Sequence, residues 1–260
     1  MQHIPRKRFG QNFLIDQNIV SKILTALDAK ETDELVEIGP GLAALTRPLI
    51  ERKLCLRAIE IDRDIAAQLA ADFPPERLVI HNEDALKFDF STMGKQLRMF
   101  GNLPYNISTP LLFHLVDYVD YIKDVHVMLQ KEVADRMVAT PASSDYGRLS
   151  VMLQYRFRVE KLFNVSPQSF RPIPKVISSF VRLIPKTDIR PSAEEFTLFS
   201  QLVTKAFGQR RKILGNALSG LLDTNDFMVL GLDRSARAET VSVERFVAVA
   251  DYLNRVKKAH

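Results

Sequence analysis

One stretch of the sequence decides the fold: Leu35-Val36-Glu37-Ile38-Gly39-Pro40-Gly41. Its first four residues predict a short buried strand, and the two glycines around Pro40 predict a sharp turn. Glycines directly after a strand let the backbone approach a ligand closely and open the N-terminus of a helix. We expect that helix over about residues 43–53.

The same alternation continues on both sides of this stretch. Apolar runs predict further strands at about residues 54–61, 77–81, 96–101 and 125–129. Helical spacing predicts helices at about residues 17–28, 63–72 and 109–119, and one that begins at Lys131. Strands that alternate with helices form right-handed βαβ units. The sequence therefore predicts an α/β fold with a Rossmann-like, mainly parallel sheet.

The pattern changes after residue 136. A helix is expected at 148–155, extended segments at 156–165 and 177–184, and a linker at 185–191. Beyond the linker the sequence predicts helices at about residues 193–207, 210–222, 226–231 and 242–257. We therefore predict two domains, residues 1–185 and a small all-helical domain of residues 186–260.

Polar or glycine residues follow four of the predicted strands in succession. They are Gly39, Glu60, Asp84 and Asn102. Open parallel sheets bind ligands at the carboxyl ends of their strands. The glycine turn would approach the ligand, Glu60 would accept hydrogen bonds from ribose hydroxyls, and Asp84 would accept from an adenine amino group. Singly, each has a plainer interpretation, such as a tight turn, a surface charge or a helix cap. Together they indicate a nucleoside-containing ligand.

The glycine pattern bears on which nucleoside is bound. Gly39 and Gly41 are followed by Leu42 and Ala43, so the third glycine of a dinucleotide fingerprint is missing. This disfavours a nicotinamide dehydrogenase. It permits S-adenosylmethionine, which has no pyrophosphate to cradle.

The segment Asn102-Leu103-Pro104-Tyr105 fits methylation of an amine. The exocyclic amine of adenine is a poor nucleophile because its lone pair is delocalised into the ring. The Asn102 side-chain oxygen and the Leu103 carbonyl could grip its N–H groups, while Tyr105 offers a ring for base stacking. Pro104 stiffens the turn. By itself the segment could equally be a β-turn before a helix.

The whole chain resembles the ribosomal RNA adenine dimethyltransferases, most closely the bacterial small-subunit type. The matching segments lie within residues 7–180, in the order of the family: Lys7 to Leu14, Glu37 to Gly41, Glu60 to Asp62, Asn102 to Ser108, Tyr146 to Ser150 and Phe170 to Val176. The resemblance implies a methyltransferase that uses S-adenosylmethionine to dimethylate two neighbouring adenines near the 3′ end of small-subunit ribosomal RNA, during maturation of the subunit.

The resemblance also implies roles for individual residues. The cofactor site would comprise Asn12, Leu14, Gly39, Glu60, Asp84 and Asn102. Phe170 would hold the flipped base opposite Tyr105. Ala43 stands where many family members have glycine, and we expect altered packing there rather than lost activity.

Two basic clusters suggest contact with RNA phosphates. They are Arg6-Lys7-Arg8 and Arg210-Arg211-Lys212, with Lys205 shortly before the second, and the chain carries a net charge of +5. A solvated helix face is the plainer interpretation of a single cluster. With a folded RNA as the implied substrate, we expect phosphate contacts.

The composition restricts the remaining possibilities. The single cysteine, Cys55, cannot form an internal disulfide or a cysteine-based zinc site, and the five histidines lack metal-ligand spacing, so no metal is expected. No signal peptide or membrane-length apolar run is visible, which favours a cytoplasmic protein. No coiled coil or extra apolar stretch indicates an obligate oligomer, so we expect a monomer. Open alternatives are a methyltransferase for large-subunit RNA or DNA adenine, and a ribosome-assembly or transcription factor without turnover.

Overall fold

The computed structural model describes residues 11–189, 191–209 and 212–258. Residues 257 and 258 are described by their backbone only. The described chain divides into two compact units. One contains the residues up to Ala134 together with Arg158–Pro185, and the other contains Asp135–Phe157 together with the residues from Lys186 onward. The predicted boundary after residue 185 coincides with one of these borders, but residues 135–157 group with the C-terminal unit.

A seven-stranded sheet forms the centre of the first unit. The strands described in the chain are β1 (Phe13–Leu14), β2 (Glu34–Ile38), β3 (Leu56–Ile59), β4 (Leu78–His81), β5 (Leu97–Asn102), β6 (Ile122–Gln130), β7 (Phe157–Val165), β8 (Phe170–Arg171) and β9 (Ser178–Pro185). All of them except β1 and β8 belong to the seven-stranded sheet, in the order β4-β3-β2-β5-β6-β9-β7. The pairs from β4 to β6 are parallel, and β9 runs antiparallel to β6. The predicted α/β sheet is confirmed.

The central strands β2 and β5 are almost completely buried. Parallel strands covered by helices on both faces need apolar residues at successive positions rather than alternating ones. This explains why Leu35 to Ile38 and Leu97 to Phe100 read as continuous apolar runs interrupted by few charges.

The helices described along this part of the chain are α1 (Gln17–Leu27), α2 (Thr46–Glu51), α3 (Arg63–Asp72), α4 (Ser108–Asp117) and α5 (Lys131–Val138). Helices α2, α3 and α4 each connect two parallel strands of the sheet. Asp16 begins α1, because its carboxylate accepts hydrogen bonds from the N–H groups of Asn18 and Ile19. Asp62 caps α3 in the same way. Helix α2 is shorter than predicted, since Ala43 has the left-handed backbone conformation and residues before Thr46 form turns.

A small second sheet was not predicted. Strands β1 and β8 pair antiparallel, with Phe13 opposite Arg171 and Leu14 opposite Phe170. The N–H of Ile15 also donates to the carbonyl of Ser169 at 2.9 Å. Two-residue strands are too short to show an alternating pattern, so only long-range pairing reveals them.

The second unit is helical. Its helices are α6 (Arg148–Arg156), α7 (Ala193–Phe207), α8 (Leu214–Ala217), α9 (Thr224–Val229) and α10 (Val243–Lys258). None of the described residues from Lys186 onward lies in a strand. The Tyr155 ring stacks on Phe199 with centroids 4.1 Å apart, which joins α6 to α7. The Tyr146 hydroxyl donates to the Val241 carbonyl at 2.9 Å.

One helix prediction for this unit was wrong. Residues 210–222 were expected to form a single helix, but α8 is the only helical part of the described residues in this range. Arg210 and Arg211 lie outside the described residues. Further along, Gly220 has a φ of +78°, a conformation that ends a right-handed helix.

Gly101 on β5 allows the two central strands to approach each other closely. A Cβ atom at this position would overlap the carbonyl oxygen of Ile38 on β2. The sequence interpretation did not single out this glycine. It is required here by space, because its φ is not in the left-handed region.

We predict that Gly101→Ala destabilises the chain by at least about 1–3 kcal/mol, because the added methyl must push β2 away from β5. Denaturant unfolding measures this. Gly147→Ala is the control, since a Cβ there meets no described atom within 4 Å; its helix-capping effect should stay below about 1 kcal/mol. Equal stability losses in the two variants would contradict the packing constraint.

Candidate active site

A cavity of about 300 Å³ lies at the carboxyl ends of the central parallel strands. Predicted site residues that line it are Asn12, Leu14, Gly39, Glu60, Asp84, Asn102, Leu103 and Tyr105. The carboxyl ends of neighbouring parallel strands share one edge of a sheet, and the fold therefore brings these separated residues together.

The glycine turn forms one wall of the cavity. Gly39 and Gly41 have φ angles of +67° and +53°, which glycine adopts without a steric penalty. The Gly39 N–H donates to the Ile59 carbonyl at 2.9 Å, which fixes the turn to β3. A Cβ at Gly41 would lie 3.0 Å from the Phe13 ring. Ala43 also has a positive φ, and its methyl is buried in the apolar core.

Glu60 follows β3 and is held rigidly. Its side chain is almost completely buried, and one carboxylate oxygen accepts the Asp62 N–H at 2.8 Å. The other oxygen faces the Gly41 N–H at 3.4 Å. Burial raises the pKa of this carboxyl. Each carboxylate oxygen has a second lone pair, so Glu60 can accept further hydrogen bonds from a ligand.

Asp84 follows β4 and takes part in a turn. One carboxylate oxygen accepts the Leu86 N–H at 3.0 Å. The side chain is half-buried at the cavity wall. The second oxygen accepts no hydrogen bond from any described residue. Asp84 therefore combines a local capping contact with a free acceptor.

Asn102 ends β5 with a defined amide orientation. Its Nδ2 donates to the main-chain carbonyl of Asn12 at 2.7 Å. Because that carbonyl can only accept, the amide nitrogen must face it and Oδ1 must face away. Among the described residues no donor reaches Oδ1. The Leu103 N–H donates to the Met128 carbonyl at 2.9 Å. The Leu103 carbonyl, like Asn102 Oδ1, accepts no hydrogen bond from a described residue.

Tyr105 is held by a hydrogen bond to the start of β9. Its hydroxyl lies 2.7 Å from Oγ of Ser178, and Ser178 is completely buried. Burial raises the pKa of Tyr105, so the phenol stays neutral. The contact fixes the ring beside the cavity. The sequence interpretation did not identify Ser178.

Glu37 is a second site residue that the sequence interpretation missed. It lies on β2 two residues before Gly39, lines the cavity and is only 2% exposed. The Thr46 hydroxyl donates to its Oε2 at 2.7 Å. Burial raises the pKa of Glu37 to about 8, and the nearby Glu60 adds to this effect. The signal in the sequence is an acid within an apolar strand, two residues before the first glycine of the turn.

Phe170 does not line the cavity. Its side chain is fully buried in the apolar core, and Leu14 pairs with it across β1 and β8. In this conformation it presents no surface on which a base could stack. The predicted role opposite Tyr105 therefore requires a rearrangement that exposes the Phe170 ring.

Two of the predicted RNA contacts lie among the described residues of the second unit. Lys205 and Lys212 are exposed on the second unit, and the Lys205 ammonium donates to the Ser219 carbonyl at 2.7 Å. Arg6, Lys7, Arg8, Arg210 and Arg211 lie outside the described residues. Within the described ranges, no group of three or more His, Cys, Asp or Glu side chains is placed to hold a metal ion.

Comparison with known proteins assigns the chain to a family. A family model described as ribosomal RNA adenine dimethylase matches residues 2–255. The chain belongs to the ribosomal RNA adenine dimethylase family. The predicted family resemblance is confirmed.

Relatives of this protein match the chain over nearly its whole length. The ribosomal RNA small subunit methyltransferase A of Nitrosospira multiformis is 54% identical over 257 residues, 99% of either chain. That of Laribacter hongkongensis is 56% identical over 96% of either chain. A crystal structure of a dimethyladenosine transferase from Plasmodium falciparum has a TM-score of 0.80 and 26% identity, over 94% of this chain and 98% of that one.

The family and the names of these relatives agree with the adenine methylation expected from the sequence. In the described part of the chain, no helix has the length and apolar character needed to cross a membrane.

We predict that Glu37→Gln makes folding stability less dependent on pH. The pKa of Glu37 is about 8 in the folded chain and 4.5 without burial, so the unfolded chain loses the proton first as pH rises. Wild-type stability should therefore fall by about 3–4 kcal/mol between pH 5 and 8 from this group alone, and the neutral glutamine should not show this loss.

Thermal unfolding of both proteins from pH 5 to 8 measures the effect. The midpoint difference should favour Glu37→Gln more strongly at pH 8 than at pH 5. Parallel stability curves would show that Glu37 ionises normally in the folded chain.

Proposed function

We propose that this protein transfers methyl groups from S-adenosylmethionine to N6 of two adjacent adenines near the 3′ end of small-subunit ribosomal RNA. The product is dimethyladenosine, and the reaction belongs to maturation of the subunit. The observation that carries the proposal is the pair of unbonded acceptors, Asn102 Oδ1 and the Leu103 carbonyl, beside a nucleoside-sized cavity. The names of the full-length relatives support the same substrate.

The cavity fits the adenosyl part of the cofactor. Gly39 and Gly41 have no side chain that would fill the space over the turn, and Glu60 has lone pairs left for two ribose hydroxyls. Asp84 has one oxygen that accepts no hydrogen bond from a described residue and could accept one from an adenine amino group. Ile61 is exposed next to Glu60 and offers an apolar surface for the base. These residues would hold the group, which supplies a methyl bound to positively charged sulfur.

The chain's own contribution to the chemistry is to orient and activate the adenine amine. Two acceptors that each take one N–H would turn the nitrogen lone pair out of conjugation with the ring and towards the methyl. Asn102 is suited to this because its bond to the Asn12 carbonyl holds Oδ1 in one orientation. The amine loses a proton after it has gained the methyl, and water can accept it. Positioning therefore supplies most of the rate, and no general base is needed.

Tyr105 would hold the target base. A base stacked on an aromatic ring gains roughly 1–3 kcal/mol. The bond from its hydroxyl to Ser178 keeps the ring in one plane, so less entropy is lost when the base arrives. A second stacking partner at Phe170 is part of the proposal and requires a rearrangement that exposes its buried ring.

The RNA backbone would contact both basic clusters. A net charge of +5 and the exposed Lys212 favour a polyanionic partner. We therefore assign RNA contacts to the helical domain from residue 186 onward and to the basic N-terminal segment. A ribosomal substrate goes with a cytoplasmic location, where subunits assemble.

We predict that Asn102→Ala lowers methyl transfer by at least about 10²- to 10³-fold, the usual effect of removing one group that stabilises a transition state. Labelled methyl groups incorporated into immature small subunits measure this, with nucleoside analysis of the RNA. Circular dichroism should show that the variant remains folded.

The matched control is Asn18→Ala. Asn18 is an exposed asparagine in the first turn of α1, and it does not line the cavity. Its transfer rate should equal that of the wild type. If Asn102→Ala also retained the wild-type rate while folded, the proposed role of this segment would be lost.

We predict that replacing Arg210, Arg211 and Lys212 with glutamate weakens binding to small-subunit RNA but leaves cofactor binding intact. Each lost phosphate contact should reduce the slope of log affinity against log salt by about 1. Binding titrations at several salt concentrations measure both quantities.

Lys95→Glu controls for a general change in charge, because Lys95 is exposed before the amino end of β5, away from the cavity. It should have little effect on the salt slope. Unchanged RNA affinity and salt dependence in the triple variant would mean that the cluster is only a solvated surface.

A further inference from the structure

The described part of the cavity wall carries acidic but no basic side chains. Its described lining residues include four carboxyl groups, Glu37, Glu60, Glu83 and Asp84, and no lysine, arginine or histidine. A cleft with one sign of charge favours a ligand of the opposite sign. S-adenosylmethionine fits this requirement, since it carries a sulfonium, an ammonium and one carboxylate.

Glu37 is the most buried of these carboxyl groups. Thr46 on α2 donates to one of its oxygens, and the second oxygen has no partner among the described residues. The charged group that acts on it is Glu60, after β3, which has the same sign. Glu83 and Asp84 after β4 and Tyr105 after β5 are the other ionisable groups among the described lining residues, and none of them can supply a positive charge. Without a ligand, the neutral acid is therefore the favoured form.

The strand order indicates which part of the cofactor reaches Glu37. This step rests on the proposed function. The sheet runs β4-β3-β2-β5, with Asp84 after β4 and Glu60 after β3. A nucleoside held by those two acids occupies the β4–β3 side. The charged sulfur and the amino-acid part then extend over β2 towards Asn102 on β5, and Glu37 lies on β2.

We propose that Glu37 retains its proton in the cofactor-free site and releases it to solvent when S-adenosylmethionine binds. The carboxyl O–H bond breaks, its electron pair remains on the oxygen, and the proton passes to water or buffer. The resulting carboxylate balances the positive charge of the ligand. Glu37 thereby makes the site selective for the cationic cofactor over a neutral nucleoside.

This coupling makes cofactor affinity depend on pH. Burial raises the pKa of Glu37 to about 8 in the ligand-free chain, so the group is mostly protonated at pH 7. If one proton leaves on binding, the affinity for the cofactor increases as pH is raised towards that value, by up to about tenfold for each pH unit. A neutral ligand would show no such dependence.

The test is isothermal titration calorimetry of the full chain at pH 7, in buffers of different ionisation enthalpy. The observed heat varies linearly with that enthalpy, and the slope gives the number of protons released. We expect about one proton for S-adenosylmethionine and none for 5′-methylthioadenosine, which keeps the nucleoside but has no charged sulfur or amino-acid group.

Glu37→Gln keeps the shape of the neutral acid and its contact with Thr46, so it should fold. In this variant proton release should disappear, and the dissociation constant for S-adenosylmethionine should no longer change between pH 6 and 8. Glu60→Gln is the comparison, because Glu60 is the other buried acid of the cavity; if it still binds, its release should persist.

Three results would overturn the inference. One is tight binding by the wild type without proton release. Another is release that persists in Glu37→Gln, and a third is release that disappears only in Glu60→Gln. Failure of the wild-type chain to bind S-adenosylmethionine at all would instead contradict the proposed function, so the two failures are distinguishable.

Discussion

The close parallel pairing of β2 with β5 is the constraint on which the site depends. Gly101 lets β5 lie directly against the Ile38 carbonyl, and Glu37 pairs with Phe100 in the same register. The glycine turn after β2 therefore reaches the level of Asn102, which ends β5. The glycine turn and the two acceptors, Asn102 Oδ1 and the Leu103 carbonyl, therefore become neighbours through backbone pairing alone. Any side chain at position 101 would separate them, whatever its chemistry.

Buried charges are paired differently at the amino ends and at the carboxyl ends of the strands in this sheet. Near the amino end of β5, the buried Arg98 is neutralised by Asp33 at 2.6 Å and Asp124 at 2.9 Å. At the carboxyl edge, Glu37 and Glu60 are equally buried but lack a cation among the described residues that line the cavity. The first arrangement satisfies its charges within the chain, as stable buried ion pairs must. The second arrangement leaves two buried acids without a cation among the described lining residues, which lowers the folding stability. A positively charged ligand can supply that cation when it binds.

The sequence predicted the parallel sheet and many of the residues that line the cavity because both depend on local patterns. Helix α7 was predicted at its observed limits, and Glu60, Asp84 and Asn102 were placed at strand ends that the fold brings together. Features set by long-range contacts were missed. The β1–β8 pair is too short for periodicity, and the need for Gly101 arises from a neighbouring strand. The burial of Phe170 follows from that same pair.

The most direct measurement of the central claim is the identity of the methylated base. The purified chain is incubated with labelled S-adenosylmethionine and, separately, with immature small subunits, large subunits and duplex DNA, and the digested nucleosides are identified. The account predicts dimethyladenosine from small subunits alone. Label in large-subunit RNA or in DNA would contradict the substrate, and no label in any of the three would indicate a binding factor without turnover.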